Sequence, residues 1–270
     1  MSIDKFDYAE PQCCSLKSGK NFYYPELAEK ERVPIERIIE KLDSTFATND
    51  LSGAEKLLNY WLEEAKKLDD KQGELSILNE FIGYYRKTNN SKKSADVISR
   101  VHTLIDELHL SDTIAGATIL LNVATNLKAF GNPNGAVGVY ERVLKTYTEN
   151  LMEDDVRFGG LYNNYALALA EISDIQGAET YFFKALDYAS DIDKVVSYLN
   201  LAELYFAIDN DDENVSMFLD LARDVLENET LTDGYYAFVC EKSAPAFEKL
   251  GRNEYADQLR LRARSIYERN

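Results

Sequence analysis

The chain has little cysteine, proline or histidine, and it lacks a long apolar run. Its 270 residues include 3 Cys, 5 Pro and 2 His. Two of the cysteines, Cys13 and Cys14, are adjacent, which makes a poor disulfide framework and favours a reducing, cytoplasmic setting. No run of about 18 apolar residues occurs, so we predict no membrane-spanning helix. Residues 1–28 also lack the apolar core and basic flank of a secretory signal.

Positive charge is also scarce. The formal net charge is −17, from 30 Lys and Arg against 47 Asp and Glu. Duplex binding rests mostly on the neutralisation of phosphates, so this charge argues against a nucleic-acid partner. An acidic surface gives a weak preference for basic partners and is otherwise an ordinary solvated exterior.

Sequence patterns that carry catalysis or bind metals are missing as well. There is no P-loop, no His-Glu-x-x-His zinc helix and no Gly-x-Ser-x-Gly nucleophile elbow. Carboxylates are abundant, but on acidic helices they are the expected background and single out no acid–base pair. We therefore predict that the protein is not an enzyme and has no catalytic residue, no cofactor and no metal site.

A repeating unit runs through most of the chain. Small or β-branched residues recur at one point of a predicted second helix, at spacings of 41, 41, 42, 37 and 41; they are Ala54, Ala95, Ala136, Ala178, Val215 and Ala256. Five residues before them lie Asn49, Asn90, Gly131, Ser173, Asn210 and Gly251. Five of these six are Asn or Gly, which tolerate the left-handed conformation that ends a helix. The period predicts stacked helical hairpins, because a single hairpin cannot cover its own apolar stripe.

The best-formed unit is the segment from Tyr162 to Leu186, which reads as two amphipathic helices joined by a tight turn. Units of this type have small residues in the first helix, a turn glycine, an alanine early in the second helix, a large residue four positions on and often another alanine seven on. The pattern resembles the tetratricopeptide repeat (TPR), in the longer variety found in kinesin light chain and in bacterial peptide sensors.

This resemblance implies an all-α fold, a right-handed α-solenoid or superhelix of about six TPR-like hairpins. The hairpins would form a single domain over residues 34–270, and residues 1–33 would be an N-terminal arm or cap. It also implies a protein or peptide partner.

An asparagine recurs on the predicted first helices, at spacings of 43, 42 and 36: Asn79, Asn122, Asn164 and Asn200. We call these four residues the asparagine ladder. The resemblance implies that they face the concave groove, where an amide can pair with the N–H and C=O of an extended peptide. Other residues assigned to this peptide-binding face are Asn163, Leu121, Thr125, Leu167, Leu199 and Glu203. The alternative is that the asparagines join neighbouring helices by hydrogen bonds, and the sequence does not decide between the two.

Two functions are consistent with this pattern. The first is a non-enzymatic scaffold whose groove holds an extended peptide or partner segment. The alternative is a regulatory peptide-sensor subunit that acts on a separate effector chain, since residues 1–33 are too short for an effector domain. Self-association through an open end of the solenoid, giving a homo-oligomer, is compatible with either function.

Overall fold

The structure is a computed structural model that describes residues 31–48, 50–209 and 212–269. These residues form twelve α-helices and no strand, which confirms the all-α prediction. The helices are α1 Ile35–Ala47, α2 Leu51–Lys67, α3 Lys71–Lys87, α4 Ser91–Glu107, α5 Ile114–Ala129, α6 Pro133–Asn150, α7 Arg157–Glu171, α8 Ile175–Leu186, α9 Lys194–Asp209, α10 Asp212–Asn228, α11 Gly234–Lys249 and α12 Asn253–Tyr267.

The helices pair in chain order as six hairpins, three in each of two compact units. Residues 31–152 contain α1 to α6 and residues 153–269 contain α7 to α12. Within each unit the first helices of successive hairpins also contact one another: α1 with α3, α3 with α5, α7 with α9 and α9 with α11. The division into an arm at residues 1–33 and a single domain at 34–270 stays a prediction, and residues 1–30 lie outside the described part.

First and second helices of a hairpin differ in how they are buried. In the second helix α8, the buried residues Ala178, Phe182 and Ala185 follow one another at four and three positions, which is one face of a helix. In the first helix α7, by contrast, all residues from Leu161 to Leu169 except Tyr162 are buried. The first helices α3, α5, α7 and α9 are buried over most of their surface in this way, whereas α1 buries one face only.

Side chains at the helix starts satisfy backbone N–H groups that would otherwise lack a partner. Asp50 accepts a bond from Gly53 N–H at 2.8 Å, and the same arrangement recurs along the chain. The other cap pairs of this spacing are Asp70–Gly73, Asn90–Lys93, Thr113–Gly116, Asn132–Gly135, Asp174–Gly177 and Asp233–Tyr236. Glycine suits the position three residues after the capping side chain, because a Cβ on Gly53 would lie only 2.1 Å from the Asp50 carboxylate.

The left-handed turn residues are at the predicted Gly131 and Gly251, at Ser173 although it is neither Asn nor Gly, and one residue early in the second hairpin. Gly131 and Gly251 have φ of 82° and Ser173 has 68°. In the second hairpin the left-handed residue is Asn89, with φ of 53°, and the prediction of Asn90 is wrong. Asn90 instead caps α4 with φ of −106°, so the residue before it reverses the chain. The corresponding positions 49 and 210 lie outside the described residues.

We expect Ala185→Leu to lower the free energy of unfolding by about 2 kcal/mol. Ala185 is 1% exposed on the packed face of α8, so the added methylenes must displace neighbours in a close-packed interior. Thermal or urea unfolding measures the change. Thr180→Leu is the matched control, because Thr180 is exposed on the same helix. Equal stability of both variants would contradict the assignment of this face.

Candidate functional site

In residues 31–152, two of the ladder asparagines are bonded to each other. Asn122 Nδ2 on α5 donates to Asn79 Oδ1 on α3 at 2.8 Å. Asn79 is buried and Asn122 is half-buried. The pair uses one donor of Asn122 and one acceptor of Asn79, while each amide has further polar atoms. This contact is the interhelix bridge of the alternative interpretation, and peptide contact by these residues stays a prediction.

One turn further along α5, Asn126 is a buried amide with a clear structural role. Its Oδ1 accepts from Ser94 Oγ on α4 at 2.8 Å, and its Nδ2 donates to the backbone C=O of Ile82 on α3 at 3.2 Å. Asn126 therefore ties three helices together. Asn126 was not among the predicted site residues, because an asparagine at this position recurs in no other repeat.

In residues 153–269 the paired position is Asn163 and not Asn164. Asn200 Nδ2 on α9 donates to Asn163 Oδ1 on α7 at 3.0 Å. Adjacent helical residues point about 100° apart, so only one of the two asparagines can face Asn200. The predicted register, which put Asn164 in line with Asn200, is corrected by one residue.

Asn164 is completely buried, and its side chain makes no hydrogen bond. Both Asn164 Nδ2 and Oδ1 lack a hydrogen-bond partner, as does Nδ2 of the neighbouring Asn163. The two adjacent asparagines of α7 thus carry three unsatisfied polar atoms. An amide needs several partners when it is removed from water, so this cluster differs in kind from the satisfied amide of Asn126.

The remaining residues of the predicted peptide-binding face lie in the interior of their units. Those that are buried without a ladder bond are Leu121, Thr125, Leu167, Leu199 and Glu203. Thr125 Oγ1 donates to the C=O of Leu121 and lies 3.0 Å from the hydroxyl of Tyr140. Glu203 on α9 forms an ion pair with Lys249 on α11 at 2.9 Å. In this structure the face is a packing surface, with the half-buried Asn122 as its most accessible member.

Neither a metal-binding cluster nor a membrane-spanning helix occurs in residues 31–48, 50–209 and 212–269. No group of three or more His, Cys, Asp or Glu side chains in those ranges is placed to hold a metal ion. No helix in the described part of the chain is long and apolar enough to cross a membrane.

The fold defined by these hairpins is an all-α helical repeat of the TPR type. BtubC (BKLC) from P. vanneervenii has the same fold with a TM-score of 0.51 and 19% identity, over 88% of this chain and 92% of that chain. A putative kinesin light chain from Podosopora anserina, with nearly identical TPR-like repeats, matches with a TM-score of 0.51 and 16% identity, over 71% of this chain and 94% of that chain.

PilW, a type IV pilus biogenesis factor, matches with a TM-score of 0.58 and 12% identity, over 89% of this chain and 96% of that chain. At such identities the likeness establishes the fold, and the predicted resemblance to TPR-like repeats is confirmed. No protein-family model and no curated protein matches the sequence.

Proposed function

We propose that this protein is a non-enzymatic interaction scaffold whose first helices hold an extended segment of a partner protein through side-chain amides. The observation that carries the proposal is the cluster of three unsatisfied polar atoms of Asn163 and Asn164 on α7. An unpaired buried donor or acceptor costs about 1–3 kcal/mol. Native proteins contain few such groups, and a partner that supplies the missing hydrogen bonds is the explanation proposed for these three.

The chemistry of the cluster fits a peptide backbone. A primary amide carries two N–H donors and an acceptor on a short arm, and an extended peptide presents one N–H and one C=O per residue. Asn163 Nδ2 and Asn164 Nδ2 supply donors, and Asn164 Oδ1 supplies an acceptor. Recognition of this kind depends on the backbone more than on the side chains of the partner.

Binding requires the first helices α7 and α9 to admit the peptide. The bond between Asn200 and Asn163 would open, at a cost of about 0.5–1.5 kcal/mol, and bonds to the peptide would replace it. Leu167, Leu199 and Glu203 would then flank the peptide. In residues 31–152 we assign the same role to Asn79 and Asn122, beside Leu121 and Thr125.

We expect Asn164→Leu to weaken peptide binding about tenfold while stabilising the fold by about 1 kcal/mol. Leucine has nearly the shape of asparagine and removes two buried polar atoms that lack partners, so the free energy of unfolding rises. The same change removes two hydrogen-bonding atoms from the proposed site, so peptide affinity falls. Thermal unfolding measures stability. Titration with a peptide selected on the wild-type protein from a random-sequence phage library measures affinity.

The control is Asn126→Leu, which removes a buried amide whose Oδ1 and Nδ2 both have hydrogen-bond partners. This variant should lose about 2 kcal/mol of stability, because it leaves Ser94 Oγ and the Ile82 carbonyl without their partner. If Asn164→Leu destabilises the fold and leaves peptide affinity unchanged, its amide is structural and the proposed site is wrong.

A further inference from the structure

A cavity of about 130 Å³ lies among α10, α11 and α12, within residues 153–269. Its buried lining is apolar and consists of Leu219, Phe247 and the ring of Tyr255. Its exposed lining is charged and consists of Asp220, Arg223 and Arg252. The cavity thus has an apolar floor and a charged rim, and none of these residues belongs to the peptide-binding face described above.

The ring of Tyr255 is held in place from outside the cavity. Its hydroxyl donates to Glu227 Oε1 at 2.8 Å, and Arg262 Nη2 pairs with the same carboxylate oxygen at 2.8 Å. Burial, together with the bond to Glu227, raises the pKa of the Tyr255 hydroxyl, so it remains a neutral donor. The polar end of the side chain is therefore occupied, and the ring is left to line the floor.

The two rim arginines have donors to spare. The Arg223 guanidinium lies over the Tyr255 ring, with Cζ 5.1 Å from the centroid. Arg252 Nη2 donates to Ser216 Oγ at 2.9 Å. Within the described part of the chain, no carboxylate forms an ion pair with either, whereas Arg260, Arg262 and Arg264 of the same region are all ion-paired. A guanidinium has five N–H groups, so each can still bind a carboxylate.

The size of the cavity limits what it can hold. Pockets for cofactors and drug-sized ligands measure about 300–1,000 Å³, so this one suits a single side chain. The rim carries the guanidiniums of Arg223 and Arg252 and the single carboxylate of Asp220, so its net charge is positive, although the net charge of the whole protein is −17. An apolar floor with a positive rim complements an apolar side chain that has a carboxylate beside it.

We propose that this cavity docks a partner-protein segment in which a bulky apolar residue stands next to an acidic residue. The apolar side chain enters the cavity and lies against Leu219, Phe247 and Tyr255, as buried anchors do at protein interfaces. The acidic side chain binds Arg223 and Arg252 through charge-assisted hydrogen bonds. This contact goes beyond the amide site on α7 and does not depend on it.

The test is a titration of the full-length protein with acetyl-Leu-Glu-amide at low salt, followed by NMR. Backbone amide shifts are expected at Arg223, Arg252 and Tyr255. Acetyl-Leu-Gln-amide and acetyl-Ala-Glu-amide should each bind about tenfold more weakly, because each removes one of the two contacts. Arg223→Gln and Arg252→Gln should weaken the Leu-Glu probe to a similar extent.

The matched control is Arg264→Gln, a change of the same charge at an exposed arginine outside the cavity, and it should bind like wild type. Asn164→Leu should also bind this probe normally, which separates failure of the cavity proposal from failure of the amide site. Full affinity in the Arg223→Gln/Arg252→Gln double variant would overturn the proposal. So would an absence of shifts at the cavity, or tighter binding of isocaproate, which would assign the cavity to a small organic acid.

Discussion

Gly116→Ala is expected to lower the free energy of unfolding by about 3 kcal/mol, although it adds a single methyl group. A Cβ at Gly116, in the first turn of α5, would lie 2.0 Å from the carbonyl oxygen of Leu110. That carbonyl is itself held by the backbone N–H of Thr113 at 3.0 Å and by the Thr113 hydroxyl at 2.9 Å. The clash is therefore with a fixed backbone atom and not with a flexible side chain.

Gly138→Ala is the control for this effect, because it is the same chemical change in the next helix. Gly138 is exposed on α6 and a Cβ there would meet nothing within 4 Å. Alanine is favoured over glycine inside a helix by about 0.5–1 kcal/mol, so this variant should be more stable than wild type. In urea unfolding, the free energy of unfolding should fall for Gly116→Ala and rise for Gly138→Ala. A Gly116→Ala protein as stable as wild type would mean that the Leu110 carbonyl is not fixed in the position described.

Arg100→Met is expected to destabilise the fold by about 3 kcal/mol at neutral pH. The Arg100 guanidinium binds the Glu74 carboxylate with two bonds, of 2.8 and 2.9 Å. The Glu74 side chain is only 7% exposed and that of Arg100 is 40% exposed. Removing the arginine leaves a buried carboxylate without its counter-charge. Breaking a buried ion pair in this way costs about 3–5 kcal/mol of stability, and the lower value is expected here because water reaches the arginine side of the pair.

A second substitution separates the lost ion pair from lost packing. The double variant Arg100→Met/Glu74→Met replaces the whole pair with apolar side chains, and such replacements are often close to neutral. It should recover most of the stability that Arg100→Met loses, in urea or thermal unfolding. Arg264→Met, at an exposed ion pair on α12, should change stability by less than about 1 kcal/mol. If the double variant is as unstable as Arg100→Met, the effect comes from packing of the arginine stem.

The repeat and the helix order could be predicted from the sequence because they follow from spacing alone. Ala178 and Ala185 share a helical face whatever their neighbours are, and the structure buries both. The helix caps could also have been predicted from the sequence but were not, since Asp50 and Gly53 recur with the same spacing as Asp174 and Gly177. A search for Asp, Asn or Thr three residues before a glycine would have marked these helix starts.

The register of the asparagines could not be settled in the same way. Asn163 and Asn164 are adjacent, and the choice between them depends on the rotation of α7 against α9, which packing determines. The cavity near Tyr255 was also beyond sequence reasoning. Its lining comes from three helices and a turn, so no single stretch of sequence carries its pattern.

The enclosure of the first helices has a consequence for how the chain opens to solvent. Backbone amide hydrogens exchange with water only when their hydrogen bonds break, and local opening is easiest where few buried contacts must be lost. A second helix such as α8, which has one solvent-exposed face, can detach from its neighbours by itself. A first helix such as α7 is buried over most of its surface, so its amides are released only when its neighbours α8 and α9 leave as well. The most slowly exchanging amides should therefore lie on the helices that carry the asparagines, and the opening of α7 and α9 that admits a peptide should itself raise the exchange of those amides.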